Sequence, residues 1–388
     1  MRWFLFLFTF LVLTACGGKQ QKDREPMADT GRTERTEHLL ASLKRTAGEG
    51  RYLFGHHDDT VYGIGWVGDE DRSDVQSVCG DKPAVLSFDL GHLELGDSVN
   101  LDGVPFSRMR QEIVRHFDRG GMVCLSWHLN NPLSGGTSWV ADSLKEIELH
   151  TVEAVLEGGE QHERFLGWLD RVADFLNSLE TPYGIKVPVV FRPWHEHTGS
   201  WFWWGQEGCT ADQYRDLWKL TTERLKEKGV VNVLYAYSPN MMSDGGMEIY
   251  MERYPGDERV DIIGFDQYCF AAEGDTAAVA AFAADLDRNL DFICKAAQQH
   301  GKVAALTETG YEGVKDAYWW THTLMPVLAK HAISYVLVWR NAHDKPGHFY
   351  APYPGHLSAS DFVAFYNDPK TLFLKDVNGL YLKAQWNE

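Results

Sequence analysis

The chain is 388 residues long with 44% hydrophobic and 24% charged residues, the balance of a folded globular protein with ample core. Its net charge of −18 excludes nucleic acid as a natural partner, because a phosphate backbone demands a basic footprint, and fits poorly with adhesion of the protein surface to anionic lipid. Aromatic residues reach 13%, with 14 Trp, 16 Tyr and 20 Phe, which suits either a well-packed core or a stacking surface for flat sugar faces.

Arg2 precedes an apolar run from Trp3 to Leu13 that is too short to span a bilayer. The run ends in Leu13-Thr14-Ala15-Cys16, followed by Gly17-Gly18, and resembles a lipoprotein export signal in which Cys16 is lipidated and becomes the first mature residue. On this reading residues 1–16 are a signal peptide. The product is an exported bacterial lipoprotein, periplasmic or outer-membrane associated, held to the membrane through Cys16. The alternative is a plain secretory signal that contains a cysteine. Residues 17–37 are polar and read as a tether, which leaves 38–388 for one folded domain of a monomer. The other cysteines show no metal-ligand spacing, and Cys124 and Cys269 lie in apolar runs where a buried free thiol is the default.

Beyond the tether, short β-rich runs alternate with amphipathic stretches. The runs are Tyr52 to His56, Ala84 to Asp89, Met122 to His128, Val187 to Arg192, Val231 to Tyr237, Asp261 to Tyr268, Lys302 to Thr307 and Ser334 to Trp339. Helical periodicity is clearest in Glu163 to Leu179 and Ala211 to Lys226. Eight such units with near-continuous apolar strands predict an α/β fold, a single (β/α)8 TIM barrel. A doubly wound open sheet is the alternative, weakened by the lack of a Gly-rich phosphate loop after the first strand. The ends of the runs carry the reactive side chains: His56-His57, Asp89, Trp127-His128, Arg192-Pro-Trp-His-Glu196, Tyr268, Glu308 and Trp339-Arg340. In a barrel those ends converge on the face where active sites sit.

Glu196 follows the fourth run and Glu308 the seventh, so the two face each other across the barrel mouth. Retaining glycosidases need such a pair about 5–5.5 Å apart, one a protonated acid and one an ionised nucleophile. Different environments must hold those two states. Arg192 and Tyr268 are placed to donate to Glu308, while Trp194 and Trp201 to Trp204 are expected to raise the pKa of Glu196.

The segment Phe191-Arg-Pro-Trp-His-Glu-His-Thr-Gly-Ser-Trp-Phe-Trp-Trp-Gly, together with Thr307-Glu-Thr-Gly, resembles the signatures of glycoside hydrolase family 26. The resemblance extends from Phe54-Gly-His-His through Ser126-Trp-His-Leu-Asn-Asn-Pro to Val338-Trp-Arg-Asn. It implies a retaining (β/α)8 enzyme of β-mannan with Glu196 as acid/base and Glu308 as nucleophile. It further implies that His195 binds sugar near the reacting ring, that Arg192 and Tyr268 support the nucleophile, and that Trp201 and Trp339 form aromatic platforms. His128 and Trp139 match subsite residues on the third loop. His57 and Asp59 read as structural support. None of these roles calls for a cofactor.

Three other readings remain at this point. His195 and His197 alternate as a His-x-His pair that, with His56, His57 and His128, suits a metal-dependent hydrolase, although Glu196 would then point away. A glycan-binding lipoprotein needs the Trp residues but not the opposed glutamates. A β-1,3-xylanase or mixed-linkage β-glucanase would use the same two glutamates. Residues 91–106 form a loop long enough to block one end of a cleft, which leans towards release of short products such as mannobiose.

Overall fold

The structure, a computed structural model, describes residues 26–242 and 246–383. Cys16 and the whole of the expected signal peptide lie outside the described residues. Among the described residues eight parallel strands close on themselves, each on one of the runs read from the sequence. They are β1 (Tyr52–His57), β2 (Val85–Asp89), β3 (Met122–Ser126), β4 (Val189–Arg192), β5 (Val233–Tyr237), β6 (Ile262–Cys269), β7 (Val303–Tyr311) and β8 (Ile333–Val338). Neighbours pair in chain order, Leu86 beside Val123, Phe191 beside Tyr235, Ile263 beside Ala304. Phe54 beside Val336 closes the ring. The fold is the expected (β/α)8 barrel.

The strands are apolar on both faces because both are covered, one by the barrel interior and the other by helices. The helix His162–Ser178 turns Phe165, Trp168, Leu169, Val172, Phe175 and Leu176 inward at spacings of three and four, which is one face of a 3.6-residue turn. The helix Ala211–Glu227 opens on a capping box: the Thr210 side chain accepts from the Gln213 amide while the Gln213 side chain accepts from the Thr210 amide. Cys79, Cys124, Cys209, Cys269 and Cys294 are free thiols, with Cys124 and Cys269 buried.

Two boundaries differ from the sequence reading. The polar stretch read as a tether to residue 37 is folded from Pro26 onward, where the described residues begin. A helix spans Glu34–Gly48, capped by the Thr33 hydroxyl. Arg32 forms a two-pronged ion pair with Asp261, each contact 2.8 Å, and the Thr33 amide donates to the Val231 carbonyl at 2.9 Å. Polarity hid this segment because it is held by charge and caps. It meets the residues just before β5 and β6, so it lies at the N-terminal end of the strands, opposite the mouth. Strands β6 and β7 also run past their expected ends, so Tyr268 and Glu308 lie inside strands. Their register slips by one between Phe265 beside Leu306 and Asp266 beside Glu308, which makes Thr307 the extra residue of a bulge.

Phe54 anchors the outer layer of β1. Its ring stacks on Phe373 at 5.0 Å and meets Phe362, Phe365 and Trp320 edge-on at 5.3, 5.6 and 6.0 Å. Phe54→Ala is expected to lower unfolding stability by about 3–5 kcal/mol in urea titration with an unchanged m-value. A loss below about 1 kcal/mol would show that this cluster does not hold the helix Ala359–Tyr366 on the barrel.

Candidate active site

Strand β4 stops at Arg192 because Pro193 offers no amide to continue the ladder. The chain then makes a turn in which Trp194 and Glu196 both adopt left-handed backbone, φ +56° and +54°. Such conformations are costly for residues with a Cβ, and hydrogen bonds hold this one. The Glu196 amide donates to the Ser238 carbonyl at 2.8 Å, the Glu196 carbonyl accepts from the Gly199 amide at 3.0 Å, and the Tyr214 hydroxyl donates to the Trp194 carbonyl at 2.7 Å. Gly199 lacks a side chain for a reason. A Cβ there would lie 2.2 Å from the Trp201 ring, which would be pushed off Glu196.

The two glutamates meet opposite surroundings. Glu308, 5% exposed, accepts from the Arg192 guanidinium through one oxygen and from the Tyr268 hydroxyl at 2.5 Å through the other. Burial and the Glu308 charge raise the Tyr268 phenol well above its usual range, so it stays a donor. Arg192 spends its other prong on Asp266 at 2.6 Å, and Asp266 also accepts from the Ser238 and Thr307 hydroxyls at 2.9 and 2.8 Å. Burial opposes the Arg192 charge, but Asp266 and Glu308 outweigh it and hold the guanidinium charged. Asp266 went unnoticed in the sequence; its only signal there is its position two residues before Tyr268 on one strand.

Among the described residues Glu196 instead receives a single side-chain donor, the Trp201 indole at 2.8 Å. Burial, then the negative charge of Glu308, push its carboxyl up to about 7, while the Trp201 N–H and the charges of Arg192 and His128 pull the other way. The expected rise is present, with burial as its largest cause, but the tryptophans do not all act in that direction. The Trp201 N–H works against the rise, and Trp194, Trp203 and Trp204 are wholly buried in the core, with Trp194 donating to Thr221 at 3.2 Å.

Around this pair the structure brings together most of the other expected residues. His195 and His128 approach nitrogen to nitrogen at 2.9 Å, and His128 Nδ1 lies 2.6 Å from Asp89. Trp339 stacks on His57 at 4.0 Å and sits 6.1 Å from the His128 ring. Trp139 is 56% exposed on the third loop, edge-on to Phe202 at 5.1 Å, and Phe202 in turn lies 5.3 Å from His195. Trp139 thus lies beside the site rather than in its floor. His56 is bound at 2.7 Å to Asp59, and His57 at 3.0 Å to Ser87, which agrees with the support read for His57 and Asp59.

The His-x-His pair does not converge. His195 turns towards His128, whereas His197 is buried between the Tyr214 and Tyr237 hydroxyls at 2.8 and 3.0 Å. A different trio, His57, Asp58 and Asp102, brings ligand-type atoms within 4.8 Å of one another. Arg340 already supplies a cation there, 2.8 Å from Asp102, and Tyr62 donates to Asp58.

A (β/α)8 barrel with one glutamate just past its fourth strand and one on its seventh, the second held by an arginine and a tyrosine and the first beside a tryptophan, has the build of a glycoside hydrolase. The family model described as glycosyl hydrolase family 26 matches residues 28–314, and the chain belongs to that family. It is 30% identical over 381 residues to a mannan endo-1,4-beta-mannosidase of Bifidobacterium adolescentis, covering 92% of this chain but 36% of that protein. Thus the chain spans about a third of that relative's length. A family 26 beta-mannanase from Bacteroides ovatus superposes with a TM-score of 0.86 at 52% identity, covering 92% of this chain and 99% of the other. A modular endo-beta-1,4-mannanase from Cellulomonas fimi gives 0.81 at 32% identity, covering 93% and 80%.

The sign of the Trp201 contact is testable. Because its N–H stabilises the charged carboxylate, Trp201→Phe is expected to move the Glu196 titration upward by about half a pH unit or more, followed by carbon NMR of the labelled carboxyl. An unchanged or lower midpoint would contradict the hydrogen bond.

Proposed function

We propose that the chain is a retaining β-mannanase that cleaves β-1,4-mannosidic bonds in mannan, galactomannan or glucomannan. The observation that carries this reading is the asymmetry of the two glutamates. Glu308 has both oxygens occupied as acceptors by Arg192 and Tyr268, as a nucleophilic carboxylate requires. Glu196, pushed up to about 7, keeps its proton in mildly acidic solution, as a general acid requires.

In the first step an oxygen of Glu308 attacks the anomeric carbon while the bond to the leaving sugar oxygen breaks. Glu196 delivers its proton to that oxygen. Water then enters, loses a proton to Glu196 and displaces Glu308 from the anomeric carbon, so both glutamates return to their starting states. Arg192 and Tyr268 hold the nucleophile in line. Trp201 and Trp339 flank the cleavage point as platforms, and His128, His195 and Trp139 contact the neighbouring sugars. The mannanase names of the relatives support the mannan assignment over β-1,3-xylan or mixed-linkage glucan.

Release of short products, mannobiose above all, is supported by the loop at residues 91–106. Asn100 folds its centre, donating to the Asp89 carbonyl at 3.0 Å and accepting from the Asp102 and Val104 amides at 3.0 and 2.8 Å. Asp102 then reaches Arg340, the residue after the Trp339 platform, at 2.8 Å. The loop so tied walls off that end of the site. Lipidation at Cys16 and retention at the periplasmic or outer membrane belong to the same proposal.

Glu308→Ala is expected to lower kcat on galactomannan by at least about 10⁴-fold. Glu196→Ala should retain a fast first step on an aryl mannobioside with a good leaving group, and azide should restore turnover with formation of the β-azide. An α-azide product, or cleavage surviving Glu308→Ala, would refute the double displacement. In a product time course the wild type is expected to give mannobiose from the start, and Asp102→Ala a mixed ladder. An early mixed ladder from the wild type would refute the walled end.

A further inference from the structure

Asp89 lies at the end of β2, fully buried and two strands from β4. Four donors fill its two oxygens. The Gly91 and His128 amides reach Oδ1 at 2.7 and 3.0 Å, and the Ser126 hydroxyl and His128 Nδ1 reach Oδ2, both at 2.6 Å. A carboxylate so surrounded only accepts, so His128 must carry a proton on Nδ1. Its other nitrogen lies 2.9 Å from His195 Nε2, and one proton must sit between the two. Whichever ring owns that proton sets the tautomer of His195, whose Nδ1 is buried with no hydrogen-bond partner among the described residues.

We propose that Asp89 is a positioning residue for the reaction: it fixes His128 as an Nδ1 donor, lets His128 own the proton shared with His195, and so places a cationic imidazole beside the two glutamates. This rests on the glycosidase reading above and deepens it. The groups facing His128 are Asp89, Glu308, Arg192 and His195, with His57, Asp102 and Glu196 further out. Burial opposes its charge, but Asp89 and then Glu308 outweigh burial and raise its pKa. His195 is driven the other way, by burial first and then by Arg192 and His128, and stays neutral. The cation at His128 pulls down the pKa of Glu196, so the relay tunes the acid from a distance through one charge.

Asp89→Asn reverses the relay, since an amide N–H can donate to His128 Nδ1 and leave that ring neutral. Measured in the full chain on a soluble manno-oligosaccharide, it is expected to lower kcat about tenfold or more with KM within about threefold. The alkaline limb of the kcat/KM profile should move to higher pH, because the loss of a nearby cation makes Glu196 harder to ionise. Nitrogen NMR of labelled histidine should show His128 titrating above the usual 6.5 or so in the wild type and below it in the variant. His128→Gln removes the cation by another route and should move the same limb in the same direction. An unchanged limb and an unchanged His128 titration in folded Asp89→Asn would overturn the relay. If the wild type cleaved no mannan, the proposed function would fall while the NMR titration still decided the relay.

Discussion

Arg192 is shared between two carboxylates, Asp266 and Glu308, at the mouth of the barrel where water is nearly excluded. Burial, and then the charges of Glu308 and Glu196, hold the Asp266 carboxyl well above its usual range against the pull of Arg192, so the site depends on how one cation is divided between two carboxyls. Breaking such a buried pair strands a charge, typically at a cost of about 3–5 kcal/mol, so the cluster persists only because closure of the barrel brings β4, β6 and β7 to fixed positions. Burial first, and then the charge of Glu308, make ionisation of Glu196 uphill. The Glu196 carboxyl is therefore raised in part by the arrangement that holds Glu308 in place. The states of the two glutamates are coupled through Glu308 and do not arise as separate local accidents.

The barrel was legible because each strand is buried on both faces, which writes a continuous apolar run, and because reactive side chains gather where those runs end. The fourth-strand segment around Arg192-Pro-Trp-His-Glu196 carried most of the rest. What could not be read depends on pairing register and backbone direction. The bulge at Thr307 is set by the neighbouring strand, and it is what brings Asp266 opposite Glu308. Asp266 and Asp89 look like ordinary strand-end acids until their partners are known. Trp194 shares a motif with Trp201 yet points into the core. The folded segment at Arg32 to Glu37 was hidden because its anchor, Asp261, is more than two hundred residues away.

The loop after β2 is tied to the end of β8 by its own polar side chains. Asn100 makes three hydrogen bonds with the backbone and so fixes the loop's tip. The tip then presents Asp102 to Arg340. Burial pushes the Asp102 carboxyl up to about 6 even beside that arginine, so the tie is a charged contact held against desolvation. Such a contact has direction and register, which hydrophobic packing of a loop lacks.

Between a glycosidase and a metal hydrolase on the same strands, the deciding feature is a turn of a few residues. In an extended strand, side chains alternate, so His195 and His197 would share one face and Glu196 would take the other. The left-handed residues Trp194 and Glu196 break that alternation on either side of His195. His195 stays towards His128, Glu196 comes round to Trp201 and Glu308, and His197 is sent into the core to meet Tyr214 and Tyr237. Two strained residues cost about 1–2 kcal/mol each, offset by the hydrogen bonds from Glu196 to Ser238 and from Tyr214 to Trp194. Strain at this place buries one imidazole and frees one carboxyl, and the chemistry of the site follows from that exchange.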